Sequence, residues 1–179
     1  MKTDWKKYID VVPDFPKSGV NFLDINPLLA NPKALDRATH DMQALARSMK
    51  ATKIGAFDAR GFLFGTPLAI RMDLPFFPIR KAGKLPGEVV KLDYGLEYGT
   101  DAIEIQLASV NPGDKVLLVD DVLATGGTMN AGINVIEGFG AEVVGCVVLA
   151  NLNFLPGFKK VCAGRKPDFV KALVNYDSL

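Results

Sequence analysis

The chain has 179 residues, which is enough for one domain with a sizeable hydrophobic core. Hydrophobic residues make up 49% of it and charged residues 23%, and the formal net charge is +1. This charge balance argues against a general nucleic-acid binder, and the longest apolar runs, such as residues 143–150, are too short to span a membrane. The first ten residues are polar and lack the apolar core of a secretory signal, so we expect a cytoplasmic protein.

In chain order, helical and strand-like hydrophobic patterns alternate. They predict a helix over 4–11, an irregular segment over 13–27, a helix over 32–49 capped by Asn31, a strand over 53–57, a helix over 62–72 and a strand over 76–79. They then predict a long excursion over 81–100, a strand over 102–107 with one solvated side, a buried strand over 116–119, a helix over 127–139, a buried strand over 143–150 and an edge strand over 169–174. This alternation indicates an α/β protein whose parallel sheet is covered by helices on both faces.

Two of the predicted strands end in unusual polar sequences. The strand over 53–57 leads into the sequence DARG at 58–61, and the strand over 116–119 leads into Asp120 and Asp121. Ligands of open α/β sheets collect at the carboxyl ends of the strands. We therefore expect these two strand ends to be neighbours in space and to form a binding site.

The segment over 119–128 has the sequence VDDVLATGGT and predicts a phosphate site. Its glycines let an anion approach the backbone closely, and the amides of a turn that opens a helix point towards the anion. Thr125 and Thr128 add hydroxyl donors. The lysine of a Walker A loop is absent, and no GxGxxG follows a strand, so neither a P-loop nor a dinucleotide fold is supported.

Asp120 and Asp121 indicate what accompanies the phosphate. Carboxylates directly beside a phosphate would repel it, but they would suit the hydroxyl groups of a sugar, contacted directly or through Mg²⁺. A phosphate on one side and a diol on the other describe a ribose 5-phosphate. The alternative is a glycine-rich turn whose acids serve folding only, and an apolar strand followed by this whole sequence makes that less favoured.

At this point the chain resembles a known family. VLLVDDVLATGGT at 116–128 is similar to the motif with which type I phosphoribosyltransferases bind 5-phosphoribosyl 1-pyrophosphate (PRPP). DARGFLFG at 58–65, RKAGKLPG at 80–87 and LEYG at 96–99 resemble the adenine branch of that family. The resemblance implies the type I phosphoribosyltransferase fold, with a central, mostly parallel sheet flanked by helices. It also implies a single domain over 1–179, with a small N-terminal hood over about 1–30 and a flexible lid over about 81–100.

The resemblance also implies a role for individual residues. Glu97 would transfer a proton at the purine, and Tyr98 would be its neighbour on the lid. The 5-phosphate and ribose would be bound by Asp120, Asp121, Ala124, Thr125, Gly126, Gly127 and Thr128. Pyrophosphate would be bound by the backbone of Ala59, Arg60 and Gly61 and by Arg80, Lys81 and Lys84, one of these cations coming from a neighbouring subunit. The base would contact Asn21, Phe22, Leu23 and Leu123.

The activity that this resemblance implies is purine salvage, in which adenine and PRPP give AMP and pyrophosphate. Mg²⁺ would be held mainly through PRPP, with no direct protein ligand set, and the protein would be a homodimer without nucleic-acid or membrane partners. One segment departs from the family pattern, because Leu23 stands where an arginine is expected and Asn21 where an apolar residue is common. Two alternatives therefore stay open: the same reaction on hypoxanthine, guanine or xanthine, and a PRPP-sensing regulator without catalysis.

Overall fold

The computed structural model describes residues 3–96 and 99–179. The strands are β1 Asp10–Val12, β2 Phe22–Asp24, β3 Lys53–Phe57, β4 Phe76–Lys81, β5 Val89–Leu96, β6 Gly99–Gln106, β7 Lys115–Leu123, β8 Glu142–Leu152 and β9 Val170–Tyr176. The α-helices are α1 Asn26–Leu29, α2 Pro32–Ala46, α3 Phe62–Met72, α4 Gly127–Gly138 and α5 Gly157–Cys162. Short 3-10 helices cover Trp5–Tyr8, Arg47–Met49 and Leu107–Ser109.

The main sheet has seven strands in the order β5-β6-β4-β3-β7-β8-β9. Strands β4, β3, β7, β8 and β9 are parallel, and β6 and β5 continue the sheet in the antiparallel sense. Residues of α2 and α3 belong to one hydrophobic cluster and residues of α4 and α5 to another. The predicted fold class, a mostly parallel sheet with helices on both faces, is confirmed. No helix within the described residues is long and apolar enough to cross a membrane.

Strand β3 is held between α3 and α4 by two close approaches of glycine. A Cβ atom on Gly65 of α3 would lie 2.5 Å from the Cβ of Ala56. A Cβ on Gly132 of α4 would lie 2.6 Å from the ring of Phe57. A side chain at either glycine would therefore collide with a side chain of β3, so both positions need glycine for the helices to pack against the carboxyl end of this strand.

The structure of the N-terminal segment differs from the helix predicted over 4–11. The predicted helix over 4–11 is wrong beyond Tyr8, because the chain leaves a 3-10 helix capped by Asp4 and enters β1. The β-branched pair Val11 and Val12 favours an extended strand, which pairs with β2 through Val11 and Leu23. The two strands form a separate small sheet, the hood, and α1 follows it directly.

The excursion over 81–100 also contains more structure than its glycines indicate. Strand β5 pairs with β6 in antiparallel register from Val89 opposite Gln106 to Leu96 opposite Gly99. Alternate side chains of β5, those of Val90, Leu92 and Tyr94, pack against the cluster that contains α4. The period-2 pattern was present in the sequence, but the charged residues between these positions obscured it.

Strand β6 was predicted to have one solvated side, and that prediction is wrong. Ile103 and Ile105 face the core as expected, but the opposite side is covered by the segment 82–88, which leaves Glu104 only 7% exposed. Leu107, expected on the inner face, is 47% exposed because the chain has already entered a 3-10 helix there.

Candidate active site

A cleft lies at the carboxyl ends of β3, β4 and β7, where the sequence predicted a site. Its cavity has a volume of about 310 Å³. Its wall contains both acids and cations. The acids are Asp58, Asp120 and Asp121, the cations are Arg60, Arg80 and Lys81, and the wall also includes Ala59, Tyr94 and Thr128. The two polar strand ends do meet, because β3 and β7 are adjacent in the sheet.

The glycine-rich segment after β7 forms a second, smaller hollow of about 90 Å³. Gly126 has a φ of +78°, which glycine tolerates without strain, and α4 begins at the next residue. All five residues of Ala124 to Thr128 line the hollow. Since α4 has no side-chain cap, its first amides and its positive dipole end are available to an anion.

Gly157 supports this hollow from below, and sequence reasoning missed it. Its amide donates a hydrogen bond to the carbonyl of Ala124 at 3.1 Å. A Cβ on Gly157 would lie 2.1 Å from that oxygen, and a Cβ on Gly126 would lie 2.9 Å from the Cα of Gly157. The only signal in the sequence was the dipeptide Pro156-Gly157, which reads as an ordinary turn.

The acid pair lines the cleft, with Asp121 only 5% exposed and Asp120 half-buried. The backbone amide of Asp121 donates a hydrogen bond to Oδ1 of Asp120 at 2.9 Å. Burial and the charge of Asp121 raise the pKa of Asp120 well above the usual carboxyl range. Burial also raises the pKa of Asp121, and the charge of Arg60 partly opposes that rise. Keeping both carboxylates charged is therefore unfavourable, and a ligand with hydroxyl donors, or a cation, would lower that free-energy cost.

Arg60 joins three parts of the site through its side chain. Its Nε lies 2.8 Å from Oδ2 of Asp121, and its Nη1 donates to the carbonyl of Leu23 at 2.9 Å. Its guanidinium carbon lies 4.6 Å from the centre of the Phe22 ring. The arginine, which also lines the cleft, thus links the loop after β3 to the acid pair and to the hood.

The remaining predicted pyrophosphate residues separate into two groups. Arg80 and Lys81 line the cleft, where Nε of Arg80 donates to Asp58 at 2.9 Å and Nη1 donates to the carbonyl of Lys84 at 3.0 Å. The side chain of Lys84 is exposed and is not part of the cleft wall. Gly61 lies so close to the cleft floor that a Cβ would be 2.9 Å from Oδ1 of Asp120. The peptide bond between Asp58 and Ala59 is cis.

The predicted base-binding residues lie on both sides of the hood strand. The ring of Phe22 lies against Phe15, with 5.1 Å between the ring centres, and against the guanidinium group of Arg60. Leu23 points into the core and is 3% exposed, so only its carbonyl faces Arg60. Asn21 is exposed, and its Nδ2 donates to the carbonyl of Leu179 at 3.3 Å beside an open cavity of about 790 Å³.

Leu123 differs from its expected placement. The side chain is 2% exposed and packs in the cluster beneath α4. Its neighbour Val122 points to the other side of β7, where it is partly buried against the cluster shared with the hood. Alternation along the strand therefore makes Val122 the apolar residue on the hood side. Glu97 and Tyr98 lie outside the described residues.

The donor set allows one conclusion about Mg²⁺. Within the part of the chain that the structure describes, no three His, Cys, Asp or Glu side chains are grouped to hold a metal ion alone. Mg²⁺ is commonly held by one or two carboxylates, waters and the oxygens of a substrate phosphate. The carboxylates of Asp120 and Asp121 fit that pattern. Within the described residues, Oδ2 of Asp121 is buried and accepts no hydrogen bond of good geometry, although it forms an ion pair with Nε of Arg60 at 2.8 Å.

The raised pKa of Asp120 leads to a test of stability. A carboxyl whose pKa rises on folding destabilises the folded protein above that pKa, and the penalty disappears as the pH falls towards the unfolded pKa of about 3.9. We expect Asp120→Asn to raise the free energy of unfolding at pH 8 by about 1 kcal/mol or more. Urea unfolding from pH 8 to pH 4 should show this gain shrinking. Glu142→Gln, a change at an exposed acid, is the control, and a loss of stability in Asp120→Asn at pH 8 would contradict the burial argument.

Comparison with known proteins gives a consistent result. The family model described as "Phosphoribosyl transferase domain" matches residues 24–171. The adenine phosphoribosyltransferase of Brevibacillus brevis is 45% identical over 173 residues, which is 97% of this chain and 99% of that protein.

Solved structures agree with the sequence comparison. The crystal structure of adenine phosphoribosyltransferase from Thermoanaerobacter pseudethanolicus has a TM-score of 0.90 at 42% identity, covering 96% of this chain and 97% of the other. The enzyme from Giardia lamblia, complexed with 9-deazaadenine, has a TM-score of 0.89 at 36% identity, covering 98% and 97% of the two chains. The chain belongs to the phosphoribosyltransferase family and, within it, to the adenine phosphoribosyltransferases.

Proposed function

We propose that the protein transfers the phosphoribosyl group of PRPP to adenine, giving AMP and pyrophosphate. The observation that carries the proposal is the continuity of two binding hollows. Asp120 and Thr128 line both the small hollow of the glycine-rich segment and the larger, cation-lined cleft. A 5-phosphate in the first hollow would therefore place the ribose over the acid pair and a pyrophosphate among Arg60, Arg80 and Lys81.

The geometry supports the following division of work. The bond between C1 of the ribose and the pyrophosphate oxygen breaks, and a bond between C1 and N9 of adenine forms, with loss of the N9 proton. Arg80 and Lys81 lie where they would stabilise the charge that develops on the departing pyrophosphate, and the amides at 59–61 would bind its oxygens. The carboxylates of Asp120 and Asp121 would hold the ribose hydroxyls and stabilise positive charge on the sugar ring.

Mg²⁺ belongs to the proposal as the ion that accompanies PRPP. When bound, it would neutralise charge on the pyrophosphate and help to orient it. Asp120 and Asp121 would hold the ion through the sugar hydroxyls or directly. This arrangement would also relieve the repulsion between two buried carboxylates.

Adenine is the proposed base because of the relatives and because of the way the hood is built. The Giardia lamblia enzyme was crystallised with 9-deazaadenine, and the matching relatives are adenine phosphoribosyltransferases. Leu23, the departure from the family pattern, points its side chain into the core, so the change leaves the carbonyl at the site in place. We assign the stacking surface to Phe22 and, in place of Leu123, the opposite apolar wall to Val122.

The direct test is an assay with PRPP, Mg²⁺ and each of adenine, hypoxanthine, guanine and xanthine. We expect pyrophosphate release with adenine and at least a hundredfold lower kcat/KM, by order of magnitude, with the three bases that lack the adenine edge. Release with hypoxanthine but not adenine would overturn the substrate. Silence with all four bases would overturn the enzyme. The double variant Asp120→Asn with Asp121→Asn tests the placement of the ribose and should bind PRPP more weakly.

Glu97 is proposed as the residue that accepts the proton from adenine N9. The proposal rests on the LEYG sequence at 96–99, because Glu97 itself lies outside the described residues. We expect Glu97→Gln to lower kcat by about 10²- to 10⁴-fold, the usual range for general acid–base catalysis. Affinity for PRPP should change little. The control is Glu88→Gln, at an exposed acid on the same excursion, and equal rates for the two variants would remove the assigned role.

We also propose that two copies of the chain form a homodimer through α3. The outer side of this helix exposes Leu63 by 42% and Ile70 by 77%, and the two residues lie two helical turns apart on one side. We assign the apolar surface of these two side chains to the contact with a second copy of the chain. Lys84, which does not line its own cleft, is then the cation to assign to the neighbouring subunit.

The dimer proposal is tested by sedimentation velocity. We expect the unmodified protein to sediment as a dimer and Ile70→Glu to shift it towards the monomer, because a charge would be buried at the contact. Leu107→Glu places the same charge at another exposed apolar residue and should leave the dimer intact. A monomeric unmodified protein would disprove the proposal.

A further inference from the structure

One buried acid has no part in the mechanism above. Glu104 lies in the middle of β6 with 7% of its surface exposed, and within the described residues Asp121 is the other acid buried to this degree. Burying a carboxylate costs free energy unless hydrogen bonds or cations compensate it. The groups around Glu104 therefore show which part of the structure its carboxylate stabilises.

The carboxylate binds the segment that links β4 to β5. Oε2 of Glu104 accepts a hydrogen bond from the amide of Gly83 at 2.9 Å. Gly83 has a φ of +78°, so the chain turns sharply there, and the preceding amide of Ala82 bonds to the carbonyl of Ala102 at 3.1 Å. The turn begins immediately after Arg80 and Lys81, the two cations at the cleft wall.

The sheet register places charge around the same carboxylate. Glu104 is directly opposite Arg80 on β4 and directly opposite Lys91 on β5. In antiparallel pairs, directly opposite residues project from the same face of the sheet, so a cation flanks Glu104 on each side. These two cations also pair with other acids, since Nε of Arg80 lies 2.9 Å from Asp58 and Nζ of Lys91 lies 3.2 Å from Asp93.

We propose that Glu104 is a positioning residue for pyrophosphate: by holding the amide of Gly83, it fixes the turn that presents Arg80 and Lys81 to the cleft. The inference rests on the proposed function, because pyrophosphate is the ligand of that half of the site. Glu104 acts through the turn and not by contact with the substrate. Its loss should therefore affect the pyrophosphate half of the site and leave the 5-phosphate half unchanged.

The test compares the affinities of two ligands in the same variants. Magnesium pyrophosphate and AMP are titrated separately into each protein by calorimetry. Glu104→Ala should weaken pyrophosphate binding about tenfold, the effect of losing one charge-assisted hydrogen bond, and should change AMP binding less than about twofold. Glu104→Gln keeps an acceptor oxygen for Gly83 and should recover most of the affinity.

Two further variants make the result decisive. Glu104→Asp keeps the charge and the fold if Glu104→Ala does not fold, but its shorter side chain does not reach Gly83, so it should also bind pyrophosphate more weakly. Gln106→Ala removes the neighbouring bond from β6 to the carbonyl of Pro86, 3.0 Å long, and should leave both affinities unchanged. An equal loss in Gln106→Ala, an equal loss for AMP, or normal pyrophosphate binding by Glu104→Asp would each overturn the proposal.

The outcome also separates this inference from the proposed function. If the unmodified protein binds magnesium pyrophosphate but makes no AMP, the proposed function fails and the binding results still decide the role of Glu104. If the unmodified protein makes AMP and the Glu104 variants bind pyrophosphate normally, only the role of Glu104 is wrong. If the unmodified protein makes AMP but does not bind magnesium pyrophosphate, the role of Glu104 is overturned and the proposed function stands.

Discussion

The arrangement of the site depends on the guanidinium group of Arg60. This cation lies 2.8 Å from the buried carboxylate of Asp121, donates to the carbonyl of Leu23 and stacks on Phe22. Without it, the buried carboxylate of Asp121 would lose its cationic neighbour, and a buried charge without an opposite charge destabilises the fold. The same side chain therefore makes the acid pair tolerable and attaches the hood to the sheet.

The carboxyl ends of β3 and β7 can bring these groups together because the sheet beneath them is rigid. Gly65 and Gly132 allow α3 and α4 to pack closely against the side chains of Ala56 and Phe57 in β3. Gly157 does the same for the glycine-rich segment, which rests on it through the carbonyl of Ala124. The polar groups of the site thus stand on closely packed backbone, which is what preorganised electrostatics require.

The sequence predicted those parts whose pattern is local. The apolar strand over 116–119 and the glycines after it predicted the acid pair and the hollow of the phosphate segment, because strand, turn and helix follow one another directly. The same reasoning failed where a contact joins distant segments. Nothing near Gly157 indicates that it lies under Ala124, and the polar residues of β6 read as solvated because the segment that covers Glu104 comes from elsewhere in the chain.

Two other predictions, the helix over 4–11 and the placement of Leu123, differ from the structure because the local sequence is compatible with more than one conformation. The segment over 4–11 has a polar pattern that suits a helix, but the pairing of Val11 with Leu23 in β2 overrides that preference. Leu123 was expected at the base, yet strand alternation turns it to the α4 side and turns Val122 to the hood side. A one-residue choice along a strand reverses the face on which a side chain lies, and only the sheet decides it.

The hood strands β1 and β2 pair with each other, and within the described residues they form a sheet separate from the seven-stranded one. Of the two walls assigned to the base, Phe22 therefore belongs to the hood and Val122 to the sheet, whereas the groups assigned to the phosphoribosyl moiety all lie in or directly after strands of the sheet. A substitution at Asn21 or Phe22 therefore changes the surface offered to the base, while the side chains that pack β3 between α3 and α4 stay as they are.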